Sequence, residues 1–441
     1  MRFEREIPVT REVDICIVGG GPSGCAAAVT AARMGASVFI AENSGCFGGL
    51  GTIGMVSGFC QFSDGINWNA GGFGREIAEL HQQETGSPFG RHGGFSTSFE
   101  VLKRIYDRLI RASGAQYALY TRAIAAEAEE GVVKAVIFSG KKGLYAVKAK
   151  VFIDGTGDGD LCVWAGGAYS MGEGKKHEVM PGTLCSLWAG VDWDRVPRGH
   201  VHELLEKAVA DGFFPEPDLH LPGIGCNPQT GAWGMGGGNV GHAYDLDGTN
   251  EESMTAAIMD QREKLLIWRD FYRKYVPGFE NADICLTADL MGVRESRRID
   301  CEYNLSVQDF IDRAVFDDEI GRYSYPVDIH RKSDNPETYA AFLKEFQTDL
   351  RYQDGETYGI PYRCLLPKYT VNLFVAGRCV GTDRAMQASI RVMPGCYITG
   401  MAAGAAAALC AEKKLLPREL DVHILQNKLA EMGAYLPNRT A

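Results

Sequence analysis

Val13-Asp14-Ile15-Cys16-Ile17-Val18-Gly19-Gly20-Gly21-Pro22-Ser23-Gly24 is the stretch that decides how this chain reads. Residues 14–18 are few, apolar and mostly β-branched, and predict a buried strand. Gly19, Gly21 and Gly24 complete G-x-G-x-x-G. The alanine-rich run 25–33 predicts a helix that Met34-Gly35 ends, and residues 36–41 predict a second strand closed by Glu42. This is one βαβ unit of about 30 residues, the length of a dinucleotide-binding fingerprint. Gly19 permits the tight turn, Gly21 lets a pyrophosphate approach the backbone, and Gly24 allows close helix–strand packing. The helix start, from Pro22, offers the free N–H groups of Ser23 and the residues after it and a positive dipole end to phosphates. Glu42, followed by Asn43, can accept hydrogen bonds from a ribose and disfavours a 2′-phosphate. An ordinary glycine-rich turn is the plain alternative, and the strand, helix, second strand and terminal acid together argue against it.

Composition sets the outer bounds. A chain of 441 residues implies more than one substructure. Its 45% hydrophobic and 23% charged content is that of a globular protein. A net charge of −11 with no basic stripe argues against nucleic acid. The opening residues show no apolar signal core, and no uninterrupted apolar run reaches the roughly 18 residues that span a bilayer. The 13 cysteines form no C-x-x-C, which disfavours a disulfide framework, a zinc ribbon and clustered iron–sulfur ligation, and suits a reducing cytoplasm. The sequons at Asn304 and Asn438 mean little without a secretion signal. No metal ligand set is read from the sequence.

Further along, residues 46–52 form a second glycine-rich loop. Thr97-Ser-Phe-Glu100 reads as a capping box opening a helix with Leu102, Ile105 and Leu109 on one face and Gly114 at its end. Residues 118–127 and 132–138 predict strands around Glu130-Gly131, and 146–153 another strand running into Asp154-Gly-Thr-Gly-Asp-Gly-Asp160. From about 180 to 365 the texture is irregular, with many Gly and Pro turns. Residues 371–375 return to a strand, followed by Ala376-Gly377-Arg378, a long small-residue helix through Cys410, and a polar helix and tail from 417 to 441. The expected architecture is α/β, a Rossmann-like FAD-binding type of domain made from 1–180 and 366–441, with an α+β substrate or cap domain inserted at 181–365. Three strand ends, at 19–24, 154–160 and 376–378, would share one ligand crevice.

These motifs carry a family resemblance. Residues 18–24, 47–49, 153–160, 292–298, 328–330, 361–363, 373–378, 391–393 and 400–404 together resemble the FAD-dependent oxidoreductase family of the glutathione-reductase-like superfamily, related to fumarate reductase flavoproteins. The resemblance implies FAD as cofactor. It places Gly19, Gly21, Pro22, Ser23 and Gly24 at the pyrophosphate, Glu42 and Asn43 at the ribose, and Gly48, Gly49 and Thr52 along the pyrophosphate and ribityl side. It implies an adenine contact from the Ala123 backbone, a crevice lined by Gly155, Thr156 and Gly157, and a helix start brought to the flavin by Gly377, Arg378, Arg391, Val392, Met393 and Gly395. A helix N-terminus there would stabilise the negative charge of reduced flavin. Met401 stands where the family pattern has Gln.

The activity so implied is hydride exchange between flavin N5 and a small organic substrate under the inserted domain. The rival readings are a flavin monooxygenase or halogenase using NAD(P)H and dioxygen, and an electron-relay subunit of a larger redox complex. The second electron partner and any homo-oligomer stay open, and neither nucleic acid nor membrane is expected as a partner. Arg294, Arg297 and Arg298 crowd one segment. If 299, 301 and 303 continue as a strand, Arg297 shares their face and Arg298 opposes it. One arginine, Arg294 first, would clamp a carboxylate; the alternative is an ion-pair network with Glu295, Asp300 and Glu302. His330 is the first candidate for acid–base work, His92 a weaker one, and Tyr362 and Arg363 could face the flavin. Cys46 lacks the partner of a C-x-x-x-x-C redox pair, leaving a covalent flavin bond or simple packing. Gly236-Gly-Gly-Asn-Val-Gly241 repeats G-x-G-x-x-G, but its approach, residues 227–235, is no buried strand, so no second nucleotide site is expected.

Overall fold

The computed structural model describes residues 4–174, 178–197, 199–226 and 231–439. Its largest sheet is built around two long strands, Val9–Val18 and Gly143–Asp154, which run parallel to each other. Val38–Ala41 and then Gln116–Ala118 extend it on one side, all in parallel. On the other side the first half of Gly143–Asp154 pairs antiparallel with Val132–Gly140, itself paired with Arg122–Glu129, while its last residues pair in parallel with Leu373–Val375. The chain's two ends therefore meet in one sheet.

Register decides where a ligand can sit. Val18 lies level with Ala41 and with Asp154, and Asp154 lies level with Val375. The ladder continues one step into each following loop: Gly19 N–H donates to Ala41 O, Gly155 N–H to Val18 O, and Ala376 N–H to Asp154 O. The three glycine-rich ends thus share one edge, as the sequence reading requires.

Several bounds shift. The fingerprint strand starts at Val9 rather than Asp14; its residues 9–12 are exposed or half-buried and so lack the apolar run that marks residues 14–18. The helix Pro22–Arg33 begins with Pro22, whose missing N–H costs nothing in the first turn. The strand expected at 118–127 is two pieces, broken at 119–121, where Tyr120 adopts a positive φ of 52°. The capping box at Thr97 is not formed: the helix is Phe99–Ser113 with Ser98 at its N-cap, and Thr97 Oγ1 is buried with no hydrogen-bond partner. Leu102, Ile105 and Leu109 are buried as expected, and Gly114 closes the helix in the left-handed region.

The helix Met393–Lys413 is 21 residues long and apolar enough, by length and composition, to cross a membrane. The sequence reading missed this because Thr399, Tyr397 and the glycines interrupt the apolar run. In the fold it is buried along its length against the fingerprint helix. A Cβ at Gly400 would come within 2.2 Å of Ser23 O, and one at Gly404 within 2.4 Å of Ala27 O, so this spacing of glycines is what lets the two backbones touch. Met401, in place of the expected Gln, is buried with its sulfur over Gly72.

A second hydrophobic core stands apart from the first. It is drawn from residues 184–293, around Trp188, Phe271, Tyr272 and Phe279, and takes Met55 and Phe99 from the other part of the chain. Its antiparallel sheet has the order Gly223–Cys226, Gly236–Asn239, Ser186–Ala189, Asp283–Thr287. Residues such as Ile299, Ile320, Tyr323 and Tyr358 pack into the first core instead, so the inserted packing unit is shorter than the 181–365 span. The Gly236–Asn239 glycines have a packing cause. A Cβ at Gly236 would meet Trp193, one at Gly237 Ser57, and one at Gly238 Trp188, each below 3 Å. This second G-x-G-x-x-G is sheet backbone under tryptophans; residues 227–230 before it lie outside the described residues, as do 440–441 of the tail.

Candidate active site and cofactor cradle

Two of the three fingerprint glycines answer to a steric constraint within the protein. Gly19 has φ +95° and lies against the Gly155 backbone. A Cβ at Gly24 would stand 1.9 Å from Gly19 O, so only glycine fits that approach. Gly21 differs: an added Cβ would meet nothing nearer than Gly155 O at 3.9 Å. The space above Gly21 is open, at the N-terminus of a helix whose first turn carries no acid. That slot, rimmed by Gly48–Gly49 and 155–157, fits a pyrophosphate.

The other predicted FAD positions are placed as follows. Glu42 ends the second strand, its carboxylate taking Gly20 N–H at 2.8 Å and Ser44 N–H at 2.7 Å, which fixes it beside the turn. Asn43 is exposed next to it. Ala123 lies in a strand that adjoins Glu42 through the Thr121 N–H on Glu42 O. Thr52 donates its hydroxyl to Phe47 O at 2.7 Å and so ties the 46–52 loop together. Ser23 donates to Ala376 O. Thr156 caps Asp154 at 2.7 Å. Arg378 is a brace: it donates to Gly157 O, Val293 O and Asp158, and so locks the crevice loop to the 292–298 segment. Gly377, with φ +82°, sits over Ser23. Gly395 is buried in the first turn of Met393–Lys413, whose N-cap is Val392 and whose first turn has no acidic residue.

A cavity of about 390 Å³ opens at that helix start. Leu50, Val56 and Met393 border it on the cradle side, and Asn239, Thr183 and Phe342 are among its other walls. Arg294, Arg391 and His330 all line it. The three crowded arginines part company here. Arg298 is buried on Glu295 at 2.7 Å, and Arg297 pairs with Asp160 at 2.6 Å. Asp300 pairs with Lys368 and Glu302 with Arg418. Of the expected network only Arg298–Glu295 forms; Arg297, Asp300 and Glu302 take partners outside it, and Arg294 pairs with no carboxylate among the described residues. The expected strand is only Arg298–Ile299, paired with Tyr169–Ser170, which buries Arg298 rather than turning it outward.

Arg294 is 8% exposed and donates only to neutral oxygens: Pro181 O at 3.0 Å, Thr183 Oγ1 at 2.8 Å and Asn239 Oδ1 at 3.3 Å. Burial, helped by the charge of Arg391, pulls its guanidinium down to about 10. Arg391 reaches Asp328 at 3.4 Å, and its Nε is buried without a partner. His330 is buried between Asp328, 3.2 Å from Nε2, and His242, whose Nε2 is 3.0 Å from His330 Nδ1. Burial holds His330 well below its usual value. His220 stacks on His330 with ring centroids 4.1 Å apart.

The weaker candidates lie elsewhere. His92 is near Asp354, Tyr362 donates to Pro417 O, and Arg363 pairs with Asp318; none lines the cavity. Cys46 is half-buried against Thr52 with its thiol pushed up by burial; Cys60 and Cys185 are the thiols in the cavity wall. The sequence reading did not find His220, His242, Asp218 or Asp328 as site residues. Each is an isolated polar residue in its own segment, and only the fold assembles them.

Comparison with known proteins agrees with this geometry. A family profile described as FAD dependent oxidoreductase matches residues 14–429. No curated protein matches the chain in sequence. Among solved structures, the chain is similar to p-nitrophenol 4-monooxygenase PnpA from Pseudomonas putida DLL-E4, at 10% identity and TM-score 0.45, over 96% of this chain and 85% of that one. It is also similar to the myxobacterial chondrochloren halogenase CndH, at 13% identity and TM-score 0.47, over 95% and 78%. A geranylgeranyl bacteriochlorophyll reductase-like protein from Thermoplasma acidophilum gives 12% identity and TM-score 0.43, over 96% and 83%. These likenesses are too loose to speak for substrate or reaction. The family match over nearly the whole chain does speak for class: this protein belongs to the FAD-dependent oxidoreductase family, and FAD is its cofactor.

Proposed function

We propose that this enzyme exchanges a hydride between FAD and a small organic anion held in the cavity, with Arg294 as the anchor of the anionic group. The observation that carries the reading is Arg294 itself: a buried guanidinium in a cavity wall, paired with no carboxylate among the described residues. A buried charge requires a counter-charge, and a substrate carboxylate matches the guanidinium fork. The unpartnered Nε of Arg391 in the same wall supports it. FAD supplies a hydride acceptor or donor at flavin N5. Gly21 leaves room for its pyrophosphate, and the Val392–Met393 helix start offers N–H groups toward negative charge. His330 is the polar group that polarises the substrate's reacting oxygen or nitrogen. Leu50, Val56, Phe342 and Met393 keep the pocket apolar around these groups. The inserted unit acts as the cap, and the reading keeps the kinship with glutathione-reductase-type and fumarate reductase flavoproteins. The cysteines other than Cys226 stand as free thiols, which suits work in a reducing cytoplasm.

The test is a screen of small carboxylates for bleaching or reoxidation of the flavin in FAD-loaded protein. A turned-over carboxylate whose kcat/KM falls in Arg294→Lys with FAD retained supports the assignment. Turnover confined to uncharged substrates and indifferent to Arg294→Lys overturns it. Incorporation of oxygen from dioxygen, coupled one-to-one to NAD(P)H consumption, makes the chain a monooxygenase instead.

A further inference from the structure

Three histidines from separate segments meet at the cavity wall. His242 is fully buried, and Asp218 holds its Nδ1 at 2.6 Å while also taking the Tyr244 hydroxyl at 3.0 Å. His330 has Asp328 3.2 Å from its Nε2. At 2.6 and 3.2 Å the carboxylates of Asp218 and Asp328 accept hydrogen bonds, so the imidazole nitrogen facing each carries the proton. The inner nitrogens, His242 Nε2 and His330 Nδ1, then each carry a lone pair, and they lie 3.0 Å apart. Two lone pairs at that distance repel, and something positive must lie between them.

A proton would satisfy those two nitrogens and leave the third histidine out. His220 is 8% exposed, and its Nδ1 is buried with no hydrogen-bond partner. A buried polar atom without a partner is destabilising, and a ligand there would satisfy it. One ligand atom from each of His220, His242 and His330 lies within 4.8 Å of the others. A metal ion, unlike a proton, takes a lone pair from all three. The His220 ring now lies at 19° to that of His330 and has to tilt to do so. Arg294 and Arg391 oppose a cation here, and Asp218 and Asp328 offset them charge for charge. Carboxylates behind ligating imidazoles are the usual outer support of a metal site.

We propose that His220, His242 and His330 bind a divalent transition-metal ion, with its remaining coordination positions open to the cavity. An all-imidazole donor set suits zinc, iron, cobalt or nickel and disfavours magnesium or calcium. The ion takes over the polarising role of His330 beside Arg294. Metal binding itself does not depend on the substrate being an anion.

The experiment uses untagged, FAD-loaded protein. Metal content is measured as purified, the protein is then treated with a chelator, and Zn(II) alone is titrated by calorimetry. The expected result is one strong Zn(II) site per chain that is lost in His242→Ala and in His220→Ala, with the flavin spectrum intact. Asp218→Asn should weaken the same site about 10–100-fold, the effect of removing an outer carboxylate. A wild-type protein that binds no Zn(II) overturns the proposal and leaves a proton between the inner nitrogens. Binding that persists unchanged in both histidine variants also overturns it, since the ion would then sit at cysteine thiols. If one histidine variant fails to fold, the other and Asp218→Asn still give the answer.

Discussion

Gly21 and Gly24 occupy neighbouring turns of one motif yet do opposite things. Gly24 is glycine because the Gly19 carbonyl fills the place of its side chain. Gly21 is glycine although the protein leaves that place open, and its φ of −70° suits any residue. Gly21→Val should therefore fold normally and bind no FAD; a yellow, stoichiometric Gly21→Val protein would falsify the cradle. Arg294 supports a second residue-scale prediction. Arg294→Lys keeps a charge but loses the planar fork, and hydrogen bonds to charged groups are worth about 1.5–3 kcal/mol. Its kcat/KM should fall by about 10- to 100-fold, mostly through KM, with FAD content unchanged. Aggregation instead of a kinetic defect would show that Arg294 serves only to hold Pro181, Thr183 and Asn239 together.

Between elements, the crossing of Pro22–Arg33 with Met393–Lys413 carries the FAD-binding half of the molecule. Gly400 meets the backbone of Ser23, which cannot move aside as a side chain could. Gly400→Ala should cost about 1–3 kcal/mol by overpacking, read as a lower urea midpoint, and it should weaken FAD because Ser23 and Gly24 shift with the helix. An unchanged midpoint would mean the helices separate easily. The contact between Phe73–Thr85 and Phe99–Ser113 carries a pH signature. His81 is fully buried and its Nε2 accepts Ser98 N–H at 2.9 Å, so burial keeps it neutral and lowers its pKa from 6.5 to about 4. The unfolded chain binds a proton below pH 6.5 while the folded chain does not. The stabilisation present above that pH is lost as pH falls toward 4, by up to about 1.4 kcal/mol per pH unit. His81→Gln keeps an acceptor for Ser98 and removes the titration, so its stability should fall less steeply with acid. Parallel curves for the two proteins would refute this.

Across the whole molecule, the cavity lies where the two cores adjoin. Met55 and Phe99 belong by sequence to the FAD-binding part and by packing to the inserted core. Trp188, Trp193, Trp233 and Trp268 all lie in the insert and report its unfolding. Phe99→Ala should cost about 3–5 kcal/mol, and the tryptophan signal should melt earlier than flavin release. Coincident transitions at the lower temperature would show that the two cores unfold as one.

The βαβ unit, its glycines, Glu42 and the return of the last strand could be read from the chain because they rest on local rules: period, turn chemistry and helix termini act over a few residues. So could Arg294 and His330 as candidates, since each stands out within its own segment. The separation of Arg294 from Arg297 and Arg298 could not, because three arginines within five positions look alike until the fold gives two of them carboxylate partners. The second glycine-rich motif likewise shows its packing role only under Trp188 and Trp193. The assembly of Asp218, His220, His242 and Asp328 around His330 lay wholly outside the sequence's reach. Those residues are joined by no periodicity and no spacing, and their chemistry arises from burial and from distances near 3 Å that exist only once the chain has folded.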